Sequence, residues 1–365
     1  MEKIRKISLI ILILFWCTLS IGLLFLPKKE FSDEERRKLE TFPEFKTETI
    51  LNGTFVSDLE SYSLDHFPLR QKFRMLKSLF HYGVLFQNDN NDIYIHDQYI
   101  AKMEYPMNEK SIDVAISKFE KIYNTYLKNN NTKVYFSIVP DKNYFLAEKS
   151  RHLQYDYSLF FDKIADIEWA KTIDIYHDLQ IDDYYKTDTH WKQEELLGVS
   201  RKILNEMESS AFTKDELILN KHNEDFYGVY FGQAALPIKP DFLKYYSNKM
   251  INSATVFDYE TNKTLPIYDL ELKDNRDKYD LYLHGAKALL RIDNPMSKTE
   301  KELIVFRDSF GSSLIPLLIK DYKTITVIDT RYIQSSILNQ FVDFKNKDVL
   351  FLYSPLVLNN STILK

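Results

Sequence analysis

Residues 303–353 read LIVFRDSFGSSLIPLLIKDYKTITVIDTRYIQSSILNQFVDFKNKDVLFLY. Three short apolar runs, Leu303–Phe306, Thr324–Ile328 and Val349–Tyr353, alternate with two segments of helical character, Ser312–Ile319 and Ile333–Phe344. Runs that are apolar on both faces are buried on both faces, as the strands of a parallel sheet are. The same reading extends upstream. Val134–Val139 is another continuous apolar strand, stopped by Pro140, and Ile173–Tyr176 is a brief fifth. Five strands with helical crossovers predict an α/β fold whose sheet is doubly wound and mainly parallel.

Between these halves, roughly residues 205–296 lose the alternation. Strand-like pieces such as Val229–Phe231 and Ala254–Asp258 predict a mixed, mostly β insertion there. Upstream of the sheet, Asn108–Leu127 carries Ile112, Ala115, Ile116, Phe119, Ile122 and Tyr123 at helical spacing. Ile93–Ile95 and Tyr99–Ala101 flank a turn at His96–Asp97 and predict a hairpin. Phe55–Phe86 reads as two helices separated at Asp65-His66-Phe67-Pro68, since proline stops one helix and opens the next. The charged stretch from Pro27 to about Lys46 is helix-prone, with Ser32 as its expected cap.

The N-terminus is of a different kind. Residues 7–26, ISLIILILFWCTLSIGLLFL, hold no charge and follow Lys3, Arg5 and Lys6. Twenty residues at about 1.5 Å each match about 30 Å of hydrocarbon, so the run predicts an uncleaved transmembrane anchor; the alternative is a cleaved signal peptide, for which the run is long and no small-x-small site follows cleanly. The basic flank predicts a cytoplasmic N-terminal tip and an exported body, single-pass in the cell membrane. The organisation expected is a tip and anchor over 1–27, a stalk with its helices over 28–87, and a catalytic domain over 88–365 that contains the insertion.

Composition limits the function classes. The formal charge of −5 becomes more negative without the basic tip, which argues against a nucleic-acid partner. The single cysteine, Cys17, lies inside the apolar run, so the soluble part carries neither disulfide nor thiolate chemistry. With 25 Tyr and 25 Phe against only 8 Gly, the body is expected to be stiff and well packed.

Two motifs carry chemistry. In Tyr184–Trp191, YYKTDTHW, Asp188 stands two residues before His190, in a loop just ahead of a helix. In Phe306–Gly311, FRDSFG, Ser309 sits in the turn after a buried strand, at the carboxyl edge of the sheet where such folds place reacting groups. Asp, His and Ser brought together form a nucleophilic relay: the imidazole takes the hydroxyl proton, the carboxylate fixes the tautomer, and the oxygen attacks an acyl carbon. The bland readings are a histidine at a helix start and an N-capping serine, a task that Ser312 or Ser313 would serve equally well. A rival is a metal site from Asp174, His177, Asp178, Asp182, Asp183, Asp188 and His190, but no established ligand spacing is present. Neither a metal nor a cofactor is therefore expected. Tyr184, Tyr185, Trp191, Tyr227 and Tyr230 are candidates to stack on sugars, although such residues are more often core.

Several stretches in this order, FSDEERRKLETFPEF (31–45), DHFPLR (65–70), PDKNYF (140–145), TDTHW, FRDSFGSSL and VIDTRY (327–332), resemble the DHHW proteins, relatives of the alginate O-acetyltransferases AlgJ and AlgX in the SGNH-hydrolase-like group. The resemblance covers nearly the whole chain after the anchor. It implies Ser309 as nucleophile, His190 as base and Asp188 as its orienting acid. Arg331 becomes a pocket candidate beside Trp191 and Tyr185. The implied activity is O-acetylation of an exopolysaccharide or cell-wall glycan, with a membrane-bound O-acyltransferase supplying acetyl. A carbohydrate acetylesterase with the same trio, or a non-catalytic polysaccharide assembly or binding protein, are the alternatives. Arg307 before Asp308 departs from the group's usual Gly-Asp-Ser pattern.

Overall fold

The computed structural model describes residues 2–32, 34–272 and 277–365. The chain forms two compact units, Met1–Asn91 with Phe231–Ile238, and Asp92–Tyr230 with Lys239–Lys365.

In the larger unit an eight-stranded sheet is built from β1 (Lys133–Ile138), β2 (Lys171–Thr172), β3 (Thr255–Asp258), β4 (Lys263–Pro266), β5 (Leu289–Asp293), β6 (Glu302–Arg307), β7 (Thr324–Ile328) and β8 (Asp348–Tyr353). Across the sheet the order is β4-β3-β5-β7-β6-β8-β1-β2. Strands β7, β6, β8 and β1 form where the apolar runs place them and pair in parallel; the expected fifth strand at Ile173–Tyr176 is corrected, since the parallel edge strand β2 lies just before it at Lys171–Thr172 and Tyr176 opens a 3-10 turn. The mostly parallel mixed α/β architecture is therefore present.

Successive side chains on each strand face opposite ways, and both sets are apolar. Leu303, Val305, Leu350 and Leu352 enter one core, and Ile304, Phe306, Val349 and Phe351 the other. Phe306 and Phe351 stack across β6 and β8 at 4.6 Å. On that second face Ile112, Ala115, Phe119 and Ile122 of helix Glu109–Ile122 are buried, and the Asn108 side chain caps the helix by accepting from the Ser111 amide at 3.1 Å. The hairpin Ile93–His96 with Tyr99–Lys102 forms where alternation places it.

Three further local expectations are corrected. The crossovers at 312–319 and 333–344 are short: an α-turn at Gly311–Leu314 passes into 3-10 turns at Ile315–Leu317 and Ile319–Asp321, and the second is a 3-10 stretch at Ser335–Gln340. Pro316 lacks the amide hydrogen a continuing α-helix needs, so the first tightens there. Val229–Phe231 is not a strand but part of helix Val229–Ala234, because the surrounding structure overrides the β-preference of Val-Tyr-Phe. The mixed, mostly β insertion forms as expected: it supplies β3, β4 and β5, which extend the sheet antiparallel, while Ile218–Phe226 and Asp241–Ser247 pair as a separate ribbon. Finally, Pro27–Lys46 holds no helix among its described residues; Phe31–Ser32 pairs with Arg37–Lys38, and Ser32 Oγ accepts from the Glu35 amide at 3.1 Å within that turn.

In the smaller unit α1 (Glu2–Phe25) is the apolar helix, and Lys3–Phe25 is long and apolar enough to cross a membrane. The helices α2 (Thr54–Asp65) and α3 (Arg70–Gly83) flank the Asp65–Pro68 break.

Candidate active site

Strand β6 delivers Ser309 to the carboxyl edge of the sheet. The Asp308 amide still donates to Leu352 of β8 at 3.3 Å, after which the chain turns: Gly311 N donates to Asp308 O at 3.1 Å and Ser312 N to Ser309 O at 3.2 Å. Asp308 fixes this turn. Its Oδ1 accepts from the Phe310 amide at 3.0 Å, and its Oδ2 accepts from both the amide and the hydroxyl of Ser354 at 2.7 Å, just beyond β8. Ser309 thus projects from a turn held to the end of the neighbouring strand β8.

The loop carrying Asp188 and His190 closes on itself, with Tyr184 bridged to Trp191 and the Tyr185 amide donating to His190 O at 3.1 Å. Two buried side chains tie it to the Ser309 turn: Trp191 Nε1 donates to Phe310 O at 2.9 Å and Gln193 Nε2 to Ser313 O at 2.7 Å. The two motifs, more than a hundred residues apart in sequence, are locked side by side.

Within that frame Ser309 Oγ lies 2.8 Å from His190 Nε2, and His190 Nδ1 lies 2.6 Å from Asp188 Oδ1. Asp188 is fully buried and as a carboxylate only accepts, so Nδ1 carries the hydrogen and Nε2 is left to accept from Ser309. The remaining carboxylate contacts hold it still: Oδ1 also accepts from the His190 amide at 3.0 Å, and Oδ2 from the Val229 amide at 2.8 Å. The ring of Tyr279 stacks on the imidazole at 3.9 Å with only 7° between planes, and Phe310 meets it edge-on at 5.0 Å. Tyr279 OH donates to Ser313 Oγ at 2.8 Å, and burial raises the phenol well above its ordinary value, so it remains a neutral donor.

The turn that presents Asp188 is gripped from two sides. Lys142, fully buried after β1, directs its ammonium at the carbonyls of Ile100, Tyr185 (2.9 Å), Lys186 (3.1 Å) and Asp188 (3.1 Å). Opposite, the Asp241 carboxylate accepts from the Lys186 amide (2.9 Å), the Thr187 amide (2.7 Å) and the Thr187 hydroxyl (2.6 Å). Burial pushes the Lys142 amine down to about 7, against the pull of Asp241 and Asp188. Gly228 leaves the space that the Asp188 side chain occupies.

The remaining sequence-nominated residues are placed differently. Tyr185 and Trp191 are fully buried, the first with its hydroxyl 3.1 Å from that of Tyr282, so neither offers a face to a sugar. Their expected stacking role is corrected to one in the core of the loop. Arg331 is bound in bidentate fashion to Asp329 at 2.9 and 2.7 Å, and this pairing holds it above its ordinary value although burial opposes the shift. Arg307, the departure from Gly-Asp-Ser, is wholly buried, with its guanidinium 3.5 Å from Asp329 and donating to Gly285 O at 3.3 Å. Among the described residues no three His, Cys, Asp or Glu side chains converge as metal ligands would.

Residues 149–328, which contain this loop and turn, match the family model of the DHHW proteins. That stretch is similar to the DHHW proteins. No curated protein sequence matches the chain. Among solved structures, a DHHW family protein from Eubacterium siraeum is 17% identical, with TM-score 0.59 over 75% of this chain and 94% of that one. Bacillus cereus PatB1 is 20% identical, with TM-score 0.59 over 74% of this chain and 97% of its own. PatB1 with a sulfonyl adduct is similar to the same degree, at 19% identity and TM-score 0.58 over 73% and 97%. These likenesses establish a shared fold for the matched segment and the sheet around it.

Proposed function

We propose that the chain is a membrane-anchored, extracytoplasmic O-acetyltransferase of SGNH-hydrolase-like type, which moves acetyl through an acyl-serine to hydroxyls of an exopolysaccharide or cell-wall glycan. The observation that carries this is the unbroken series from Ser309 Oγ to His190 to the buried Asp188.

The chemistry follows from the protons. His190 Nε2 takes the Ser309 hydroxyl proton as Oγ bonds to the acetyl carbonyl carbon. The donor's oxygen then leaves with the proton from His190, and Ser309 is acetylated. A sugar hydroxyl next gives its proton to His190 and attacks the same carbon, and Ser309 Oγ departs and recovers its proton. Asp188, fixed by three donors, stabilises the imidazolium in both halves. Residues 1–27 serve as tip and anchor, 28–87 as stalk, and 88–365 as the catalytic part. A membrane-bound O-acyltransferase supplies acetyl from the cytoplasmic side, in keeping with Lys3, Arg5 and Lys6 in the first turns of α1.

The test uses the full chain in detergent with p-nitrophenyl acetate, with and without a soluble oligosaccharide, beside Ser309→Ala. Acetyl ester on the sugar, lost in the variant, supports transfer. Acetate release unaffected by sugar selects the esterase reading, and an inert wild type selects the assembly or binding reading.

A further inference from the structure

Helix α3 of the smaller unit packs with its polar side inward. Arg70 and Arg74 both pair with Glu35, the second at 3.3 Å, and Gln71 Nε2 donates to the same carboxylate at 3.3 Å. Arg74 also donates to Gly232 O at 2.9 Å, and buried Ser78 Oγ accepts from Asn90 Nδ2 at 3.2 Å. The opposite side is apolar and in solvent: Leu69, just before the helix, and Phe73, Leu76 and Phe80 on it recur at helical spacing, with Leu76 62% and Phe80 48% exposed. The stripe runs on into Val84, Leu85 and Phe86, the last 81% exposed. Exposed lysines, Lys72 and Lys77, border it on both sides. An apolar stripe of this length on a water-facing surface marks something that covers it.

The neighbourhood of the stripe identifies the cover. A span of 23 residues is roughly 35 Å long at about 1.5 Å per residue, slightly more than the hydrocarbon it crosses. Gly22 therefore lies near the end of that crossing, and Pro68 packs directly on it: a side-chain carbon added to Gly22 would stand 2.9 Å from Pro68 Cγ. Pro68 is two residues before α3. The helix thus begins at the level where hydrocarbon gives way to headgroups.

We propose that α3 is an interfacial helix. Leu69, Phe73, Leu76 and Phe80 enter the boundary between acyl chains and headgroups, Lys72 and Lys77 meet anionic headgroups, and Arg70 and Arg74 are kept from the lipid by their pairing with Glu35. This rests on the reading of α1 as an anchor. A second copy packed stripe to stripe would set these lysines against its own, whereas an anionic leaflet supplies them a charge-matched partner.

The test places the full chain in nanodiscs of phosphatidylglycerol and phosphatidylcholine. An environment-sensitive fluorophore is attached at Leu76→Cys or Phe80→Cys in a Cys17→Ser background, with Asp58→Cys, an exposed polar position of α2, as the solvent reference. The unaltered chain labelled at Cys17 reports the anchor. The expected result is blue-shifted emission at 76 and 80, quenched by shallow spin-labelled lipid roughly twofold or more above position 58, with Cys17 quenched by deep spin-labelled lipid. Solvent-like emission at 76 and 80 with Cys17 quenched overturns the interfacial helix and leaves the anchor standing. A blue shift at 76 and 80 that lipid labels do not quench means that protein covers the stripe, which also overturns it. An unquenched Cys17 overturns the anchor and the inference together.

Discussion

Gly228 and Asp188 occupy one space: a side-chain carbon added to Gly228 would stand 2.2 Å from Asp188 Cβ and 2.4 Å from its Cα. Only a residue without a side chain lets helix Val229–Ala234 start there and donate the Val229 amide to Asp188. Gly228→Ala is expected to push Asp188 out of line with His190, lowering turnover by about 100-fold and stability by about 1–3 kcal/mol. Steady-state kinetics and thermal unfolding of the variant check both. Activity equal to wild type would show that the relay tolerates the displacement.

Tyr279 separates stacking from hydrogen bonding. Tyr279→Phe keeps the ring on His190 and removes only the hydroxyl bond to Ser313, so the expected loss is about 1 kcal/mol of stability with activity nearly kept. Tyr279→Ala frees one face of the imidazole and opens a cavity costing about 3–5 kcal/mol, with turnover falling well below that of Tyr279→Phe. Kinetics of the two variants at a temperature where both remain folded decide this; equal losses would contradict a role for the stack.

Lys142 gives a pH signature. Its amine is depressed to about 7 in the folded chain, so between about pH 7 and the ordinary lysine value the unfolded chain binds more protons than the folded one. Its contribution to stability therefore increases as pH rises through that window, with a slope approaching about 1.4 kcal/mol per pH unit. Lys142→Met is expected to remove that slope. Chemical unfolding of both proteins from pH 7 to 9 measures it, and parallel slopes would contradict the assignment. Because Lys142 also bonds the Asp188 carbonyl, the variant is expected to lower turnover as well.

The sequence carried the architecture where the signal was local. Runs such as Leu303–Phe306 and Val349–Tyr353 are apolar on both faces, and burial on both faces of one sheet is what they form. The approach of TDTHW to FRDSFG was also legible, since one motif sets an Asp-His pair and the other a Ser at a loop or strand end. Contacts distant in sequence were not. Nothing around Gly228 announces that Asp188 needs its space, and nothing around Tyr279 announces the imidazole it covers. The lysine in PDKNYF offered a hint, because a charge directly after a buried strand has to find partners. Tyr185 and Trp191 show a related limit: an aromatic near a histidine reads the same in sequence whether it faces solvent or, as here, the core. The first crossover is shorter than its apolar spacing suggests because Pro316 interrupts the α-helical hydrogen bonding within it.

The most direct test of the central claim is covalent labelling of the nucleophile. The full chain in detergent is treated with a sulfonyl fluoride or with p-nitrophenyl acetate, quenched in acid, and the modified residue is located by peptide mass spectrometry, with Ser309→Ala and His190→Ala alongside. The account predicts a single adduct on Ser309, absent from Ser309→Ala and formed far more slowly in His190→Ala. An adduct on another residue, or labelling of Ser309 at an unchanged rate without His190, would contradict it.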